Sequence, residues 1–508
     1  MYNLRLKLNR MLVVLMMTVI SACTTLGPNY IAPEVAKELD WLESQDKTLA
    51  SDKPVDPLWW RSAFQDDTLD KLVSIALAEN LTLRSAGLRV LQAQENLRIA
   101  TGAQFPTQVL RGGIGRTGLA KGQASSGVDR NFYSDELGFG LQWEADVWGR
   151  FQRQIESASA QLDVSVASYD GVLLSLLAQV SQTYLNIRTL EERERYLRDN
   201  IVIQQQSLTI AEDRFEGGLV TELDQDQARS LLYNTQASLG DIQISLVQLR
   251  NTLSLLLGQS PGEVITVLSS SSQIPETPAQ IALGMPQDLI RRRPDIRQAE
   301  RRLAAQSALV GFAITDLYPT FTLGGSIGFE STDNSGNDLS DVFTSDTRSW
   351  DLGAGFNWNV FNYGRIKGNI RLQDALFQQL MIDYQNTVLN AQAEIESAII
   401  AYLVSQQQLG WYIKSEQAAR NAVDIANVQY DDGLVDFNTV VTNLLTLRTQ
   451  QDLLASSRGQ VAVNLVGVFK ALGGGWEIHA GKTVDQLIPN ETKDIMRKRT
   501  KYWDGVLE

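Results

Sequence analysis

The chain of 508 residues is acidic, with 59 Asp and Glu against 45 Lys and Arg. Its formal net charge of −14 disfavours a nucleic-acid partner. The sole histidine, His479, has neither a second histidine nor a nearby cysteine to complete a metal site. No glycine-rich phosphate loop ending in Lys-Ser or Lys-Thr is present. These features disfavour an enzyme, and no cofactor or metal is expected.

The first 22 residues have the order of a secretory signal peptide. Positive charges precede an apolar run at 11–20, which is too short to span a bilayer, and small residues follow it. The only cysteine, Cys23, stands where cleavage would leave it as the new N-terminus. The sequence 19–23 resembles a bacterial lipobox, so we predict that Cys23 is lipidated. The alternative is an ordinary signal peptide followed by a chance free cysteine.

Two stretches of more than 150 residues lack proline, and their composition predicts very long helices. They run from Pro106 to Pro261 and from Pro319 to Pro489. A seven-residue repeat in the first stretch predicts a coiled-coil seam. The seam consists of Leu232, Leu239, Leu246 and Leu253, with Ala228, Thr235, Ile242, Leu249 and Leu256 as the companion set. Helices of this length cannot bury themselves in one globule, so we expect an elongated helical barrel.

The second stretch repeats the first at an offset of 215 residues. Trp148-Gly149-Arg150 recurs as Tyr363-Gly364-Arg365, and residues 215–220 recur as 430–435. Agreement at so many positions predicts an internal duplication.

Segments of alternating apolar and polar residues precede each long helix, and they predict four strands. The apolar sets are Leu110 and Ile114; Leu137, Phe139, Leu141, Trp143, Ala145 and Val147; Phe321, Leu323, Gly325, Ile327 and Phe329; and Leu352, Ala354, Phe356, Trp358 and Val360. Strands of about ten residues with one apolar side are typical of a membrane barrel, although a soluble sandwich with one wet face has the same pattern. Four strands cannot close a barrel, which needs about eight, so several copies must contribute. The strand number alone allows a dimer, a trimer or a larger ring.

The most specific motif is Gly284-Met285-Pro286-Gln287-Asp288-Leu289-Ile290-Arg291-Arg292-Arg293-Pro294-Asp295-Ile296-Arg297. Together with the features above, it resembles the TolC family of outer membrane factors, in the lipoprotein branch that serves tripartite efflux pumps. Locally, Arg293-Pro294-Asp295 is also explained as a proline and an acid that start a helix.

The resemblance implies a mainly α fold with a membrane β-barrel, built from an internally duplicated chain. Each protomer would supply four transmembrane strands and long coiled-coil helices to a trimer. The trimer would have a twelve-stranded β-barrel that is continuous with a periplasmic α-barrel. The implied segments are 1–22, signal peptide; 23–65, lipidated extended segment; 66–260, first repeat with hairpin 107–147 and tip 217–221; 261–293, equatorial linker; 294–475, second repeat with hairpin 320–362 and tip 432–436; and 476–508, C-terminal equatorial segment or tail.

The implied function is that of a passive, gated duct in the bacterial outer membrane. It would carry small molecules from an inner-membrane proton-driven transporter and a periplasmic adaptor protein to the exterior. One alternative is the outer-membrane duct of a type I protein secretion system, fed by an ABC exporter. Another is a periplasmic coiled-coil lipoprotein without a pore.

The functional residues are expected where the long helices turn. The exposed apolar residues of the turns would dock the adaptor, although glycine there is already explained by helix termination. The predicted docking residues are Gly218, Leu219, Val220, Gly433, Leu434 and Val435. The predicted gate residues are Asp224, Tyr430, Asn438 and Asp436, with Asp226 and Asp432 nearby. Helix-tip acids are more often simply solvated.

The sequence departs from the family pattern at the second tip. Thr439 and Thr442 stand at positions that often carry acids, Asn438 replaces an apolar plug residue, and Val435 stands where relatives have an arginine that ties neighbouring helices. We therefore expect the gate to depend on Asp224, Tyr430 and Asn438. The double substitution Asp224→Ala with Tyr430→Phe is predicted to raise resting conductance.

Overall fold

The structure is a computed structural model that describes most of the chain. The described residues are 25–33, 42, 46, 49–50, 56–121, 129–268, 273–278, 280–282, 292–333 and 343–507. The predicted lipidation site Cys23 and residues 284–291 of the motif lie outside them. Two compact units are distinguished: 1–33 with 92–164 and 299–383, and 34–91 with 165–298 and 384–508.

Helices dominate the described residues. They are α1 Trp59–Phe64, α2 Asp67–Glu79, α3 Leu81–Gly102, α4 Arg150–Glu216, α5 Glu222–Leu256, α6 Val264–Leu268, α7 Pro294–Thr315, α8 Arg365–Asp431, α9 Phe437–Ala471 and α10 Asn490–Arg499. The strands are β1 Leu49–Ala50, β2 Thr107–Gly118, β3 Asn131–Ala145, β4 Ile281–Ala282, β5 Thr320–Thr332 and β6 Arg348–Asn357.

The long helices have the same lengths in both repeats. Helices α4 and α8 each contain 67 residues, and α5 and α9 each contain 35. Each pair starts 215 residues apart, which is the offset of the sequence repeat. A helix of 67 residues has a rise of roughly 100 Å at 1.5 Å per residue. The predicted duplication into long helical pairs is confirmed.

The predicted coiled-coil seam lies on the packed side of α5. Its members Leu232, Leu246 and Leu253 are buried, as are Thr235 and Ile242 of the companion set. Among the described residues, α4 alone is long and apolar enough to cross a membrane by length and composition. Most of its apolar window is buried inside the protein, which is typical of a core helix.

The first unit contains a four-stranded antiparallel sheet in the order β2-β3-β5-β6. Its register pairs Leu110 with Phe139, Phe139 with Ile327, and Ile327 with Trp350. Since directly opposed residues share a face, the four predicted apolar sets fall on one side of the sheet. That side is exposed, with Leu110 at 74% and Ile327 at 55% of full accessibility.

Two strands end earlier than the alternation predicted. The pairing of β6 ends at Asn357, opposite Thr320, because β5 begins only after Pro319, so Trp358 and Val360 lie beyond the sheet. Val147 likewise lies beyond β3. There the Asp146 carboxylate accepts hydrogen bonds from backbone amides in the first turn of α4, which starts the helix instead of extending the strand.

The second unit gives the motif around Arg293 a structural role. Helix α7 begins at Pro294 with Asp295 in its first turn, as the local explanation predicted. The buried Arg293 guanidinium pairs with Asp295 at 2.8 Å and with Glu394 at 2.6 Å. It also donates to the carbonyl of Ala471, the last residue of α9, where a positive charge complements the helix dipole.

The sole histidine belongs to a buried ion cluster of the second unit. His479 Nε2 lies 2.9 Å from Oδ1 of Asp170, which has no solvent exposure. Arg297 binds the other carboxylate oxygen at 2.8 Å and lies over the ring of Trp476. The sole histidine therefore joins α4 to the C-terminal segment.

Candidate gate and docking site at the helix turns

The two turns that end α4 and α8 have the same backbone geometry. In the first turn the amide of Leu219 donates to the carbonyl of Arg214, and that of Gly218 donates to Phe215. The equivalent bonds of the second turn start from Leu434 and Gly433. This is the Schellman arrangement, which needs a left-handed residue, and Gly218 and Gly433 supply it with φ values of +71° and +72°.

The turns expose one apolar residue each. Leu219 and Leu434 retain 69% and 72% of their accessibility, although the Schellman arrangement often packs this residue against its own helix. Val220 and Val435 are half-buried and pack against the apolar core of the helix ends. The expectation that all four are exposed is wrong for the valines, because their side chains pack against this core. Only the two leucines present free apolar surface.

Tyr430 and Asp224, which were predicted to belong together, are in contact. The phenol of Tyr430 donates to the Asp224 carboxylate at 3.2 Å and is itself only 3% exposed. Its ring packs against Phe437 with centroids 5.1 Å apart. Burial, followed by the negative charge of Asp224, raises the pKa of Tyr430 to about 12. The phenol is therefore a neutral donor at physiological pH.

The other predicted gate residues lie on exposed surface near this pair. Asp436 is the N-cap of α9, and its carboxylate accepts from the backbone amide of Thr439 at 2.9 Å and from its hydroxyl at 2.7 Å. Those bonds, the hydroxyl first, lower the pKa of Asp436. Asn438 is exposed, and its carbonyl accepts from the hydroxyl of Thr442. Asp432 is exposed as well, whereas Asp226 faces Arg229 at 3.5 Å.

A residue that the sequence analysis missed connects the two turns. Arg214, in the last turn of α4, donates through Nη1 to the carbonyls of Tyr430 at 2.8 Å and Asp431 at 2.7 Å. Its guanidinium also lies 4.9 Å from the centre of the Tyr430 ring. The sequence feature that could have identified Arg214 is that it is the only Lys or Arg in the acidic stretch 212–228.

Comparison with known proteins places this architecture among export channels. The model of the outer membrane efflux protein family matches residues 72–259 and 285–474. The chain is 30% identical to the pyoverdine export outer membrane protein OpmQ of Pseudomonas aeruginosa, over 91% of this chain and 97% of that protein. It is 25% identical to the probable outer membrane lipoprotein SilC of Salmonella typhimurium, over 90% of this chain and 97% of that protein. The solved outer-membrane channel OprN, 30% identical, superposes with a TM-score of 0.83 and covers 89% of this chain and 100% of its own.

Proposed function

The chain belongs to the outer membrane efflux protein family, and from this premise we propose how its parts carry out export. It is an outer-membrane channel component of a tripartite efflux system. The observation that carries our proposal is the exposed, one-sided apolar sheet of the first unit. Such a face suits lipid, whereas a soluble sheet would cover it.

We propose that three copies of the chain each contribute their four-stranded sheet to one twelve-stranded barrel. Strand β2 pairs only with β3, and β6 pairs only with β5, so the described sheet has two open edges. Open edges cannot persist in hydrocarbon, since each unpaired backbone group there costs several kcal/mol. Pairing β2 of one protomer with β6 of the next would remove every edge. Residues 261–293 and 476–508 are proposed to form an equatorial collar on the helical part.

The proposed partner at the helix turns is a periplasmic adaptor protein that connects the channel to an inner-membrane proton-driven transporter. Leu219 and Leu434 are the exposed apolar residues that support this proposal. Replacing both with Asp should weaken adaptor crosslinking and efflux while leaving trimers intact. The matched control is Leu223→Asp, at a position that is similarly exposed, at 63%, but lies within α5. Equal losses in both variants would contradict docking at the turns.

We also propose that the same turns close the resting channel. Three-fold symmetry would repeat the pair of Asp224 and Tyr430 around the axis, so that each pair secures one protomer. The bond joins α5 to the end of α8, and opening requires those elements to separate.

Channel formation is tested by purification and reconstitution. The full-length protein should run as a heat-modifiable trimer and conduct ions in planar bilayers, with long closed periods at rest. A soluble monomer without conductance would instead support a pore-free coiled-coil lipoprotein. A gene for an ABC exporter beside this one would favour the type I secretion alternative, and a gene for a proton-driven transporter would favour efflux.

A further inference from the structure

The helix turns are strongly acidic apart from one residue. Residues 212–228 and 421–447 contain ten Asp and Glu, and Arg214 is their only Lys or Arg. Arg229, the residue after the first range, pairs with two of these acids, Glu212 and Asp226. The C-terminal ends of α4 and α8, at Glu216 and Asp431, add the negative ends of two helix dipoles. In a trimer this charge would be present three times around one axis. Without an opposing cation, repulsion would drive the helix ends apart.

Arg214 lies where it opposes this repulsion most directly. It extends from the last turn of α4 and donates to the carbonyls of Tyr430 and Asp431 at the end of α8. Carbonyls in the last turn carry the negative end of the helix dipole, so a cationic donor forms charge-assisted hydrogen bonds there, in addition to the bond that the Tyr430 carbonyl accepts from the amide of Gly433. The guanidinium also covers the Tyr430 ring, which holds the phenol facing Asp224.

The next arginine along the chain lacks these contacts. Arg229 pairs with the carboxylates of Glu212 at 3.0 Å and Asp226 at 3.5 Å, which belong to α4 and α5. Its charge therefore stays within the first helical pair. By the repeat offset, the counterpart of Arg214 in the second turn is Gln429, so only one turn of the protomer supplies a cation.

We propose that Arg214 is the latch that holds the two turns of each protomer together and keeps the channel closed. The latch acts in two ways: its charge offsets the acidic turns, and its guanidinium bridges two terminal carbonyls of α8. This proposal rests on the proposed function of the turns as a gate. Arg214 is a positioning residue, which acts through the end of α8 and through Tyr430.

The test uses the full-length trimer in planar bilayers, with Arg214→Gln as the main variant. This substitution gives the first turn the residue that the second turn already has, and glutamine is a good helix former, so folding should be retained. We expect the open probability at rest to rise about ten- to a hundredfold, the range expected for losing hydrogen bonds from a charged donor. The control Arg229→Gln, which also removes one positive charge, should behave like the wild type.

Salt separates an electrostatic latch from a packing role. Raising the salt from about 0.1 M to about 1 M shortens the screening length from about 10 Å to about 3 Å. Repulsion between the acidic turns then weakens, so the ratio of open probabilities, Arg214→Gln over wild type, should fall. The conservative variant Arg214→Lys keeps the charge but lacks the planar fork. It should leak less than Arg214→Gln, and its leak should depend little on salt.

The outcomes distinguish failure of the latch from failure of the gate. If Arg214→Gln stays closed while Asp224→Ala with Tyr430→Phe leaks, the latch is wrong and the gate proposal remains. If both stay closed, the gate proposal fails as well. Equal leaks in Arg214→Gln and Arg229→Gln would overturn the specific role of Arg214, as would an unchanged ratio at high salt. If Arg214→Gln does not form trimers, the same comparison is made with Arg214→Met, which also removes the charge and is a good helix former, and a wild-type open probability there overturns the latch.

Discussion

The two helix turns share a backbone but differ in their side chains. Both are Schellman turns with a left-handed glycine and an exposed leucine. The first turn supplies charge through Arg214 and Asp224, whose counterparts in the second turn are Gln429 and Thr439. The second supplies buried aromatic surface, which the exposed Phe215 of the first does not. Duplication has therefore produced two complementary parts of one cluster.

This division predicts unequal responses at equivalent positions. The largest effect is expected for Phe437→Ala, because Phe437 is only 2% exposed and packs on Tyr430. Removing a buried phenylalanine costs about 3–5 kcal/mol, so amide hydrogen exchange near the turns should accelerate strongly. The counterpart Glu222→Ala, at an exposed position, should leave exchange nearly unchanged. Similar acceleration in both variants would mean that the aromatic pair is not the core of this cluster.

The glycines test what the turns have in common. Gly218→Ala and Gly433→Ala each force a side chain into the left-handed region, at a cost of about 1–2 kcal/mol. The two losses of local stability, measured by amide hydrogen exchange, should be similar because the backbone geometry of the two turns is the same. A loss confined to one turn would show that the backbones are not equivalent in solution.

A smaller difference is expected between the residues that begin the helices after the turns. Asp436 caps α9 through its side chain, whereas Thr221 makes no such bond at the start of α5. Asp436→Ala should therefore reduce the protection of nearby backbone amides from hydrogen exchange more than Thr221→Ala does. The folded structure lowers the pKa of Asp436 below its ordinary value of 3.8. The contribution of Asp436 to the free energy of unfolding is therefore complete above pH 3.8 and is lost as the pH falls further. The Asp436→Ala protein should not show this loss of stability at low pH.

The smallest effect under ordinary conditions concerns the ionisation of Tyr430. Its pKa is raised from 10.0 to about 12, so its stabilising contribution is complete below pH 10 and is lost as the pH rises through 12. The difference in phenolate absorbance between the wild type and Tyr430→Phe should titrate near pH 12. A transition near pH 10 would contradict the buried bond to Asp224.

Much of the fold could be predicted because its signals are periodic and repeated. The 215-residue offset located the equal helical pairs, and alternation placed Leu110, Phe139 and Ile327 on one face of the sheet. Strand ends were predicted less well. They depend on where a partner strand stops, as at Asn357, and on side chains that start a helix, as at Asp146.

The candidate site could be predicted only in part. Asp224 and Tyr430 could be paired from the family pattern, but the role of Arg214 depends on a contact across 216 residues. No periodicity indicates such a contact, because it arises when two distant turns pack side by side. The inward packing of Val220 and Val435 has the same origin, since both contribute to a core that exists only after the helical pairs associate.

The most direct test of the complementary turns compares two double variants of the trimer in planar bilayers. Asp224→Ala with Tyr430→Phe removes the bond between the turns, whereas Thr439→Ala with Phe215→Ala alters the counterpart positions. We predict that the first variant conducts persistently at rest and that the second closes like the wild type. Unchanged closure in the first variant, or equal leakage in both, would contradict a gate formed by complementary turns.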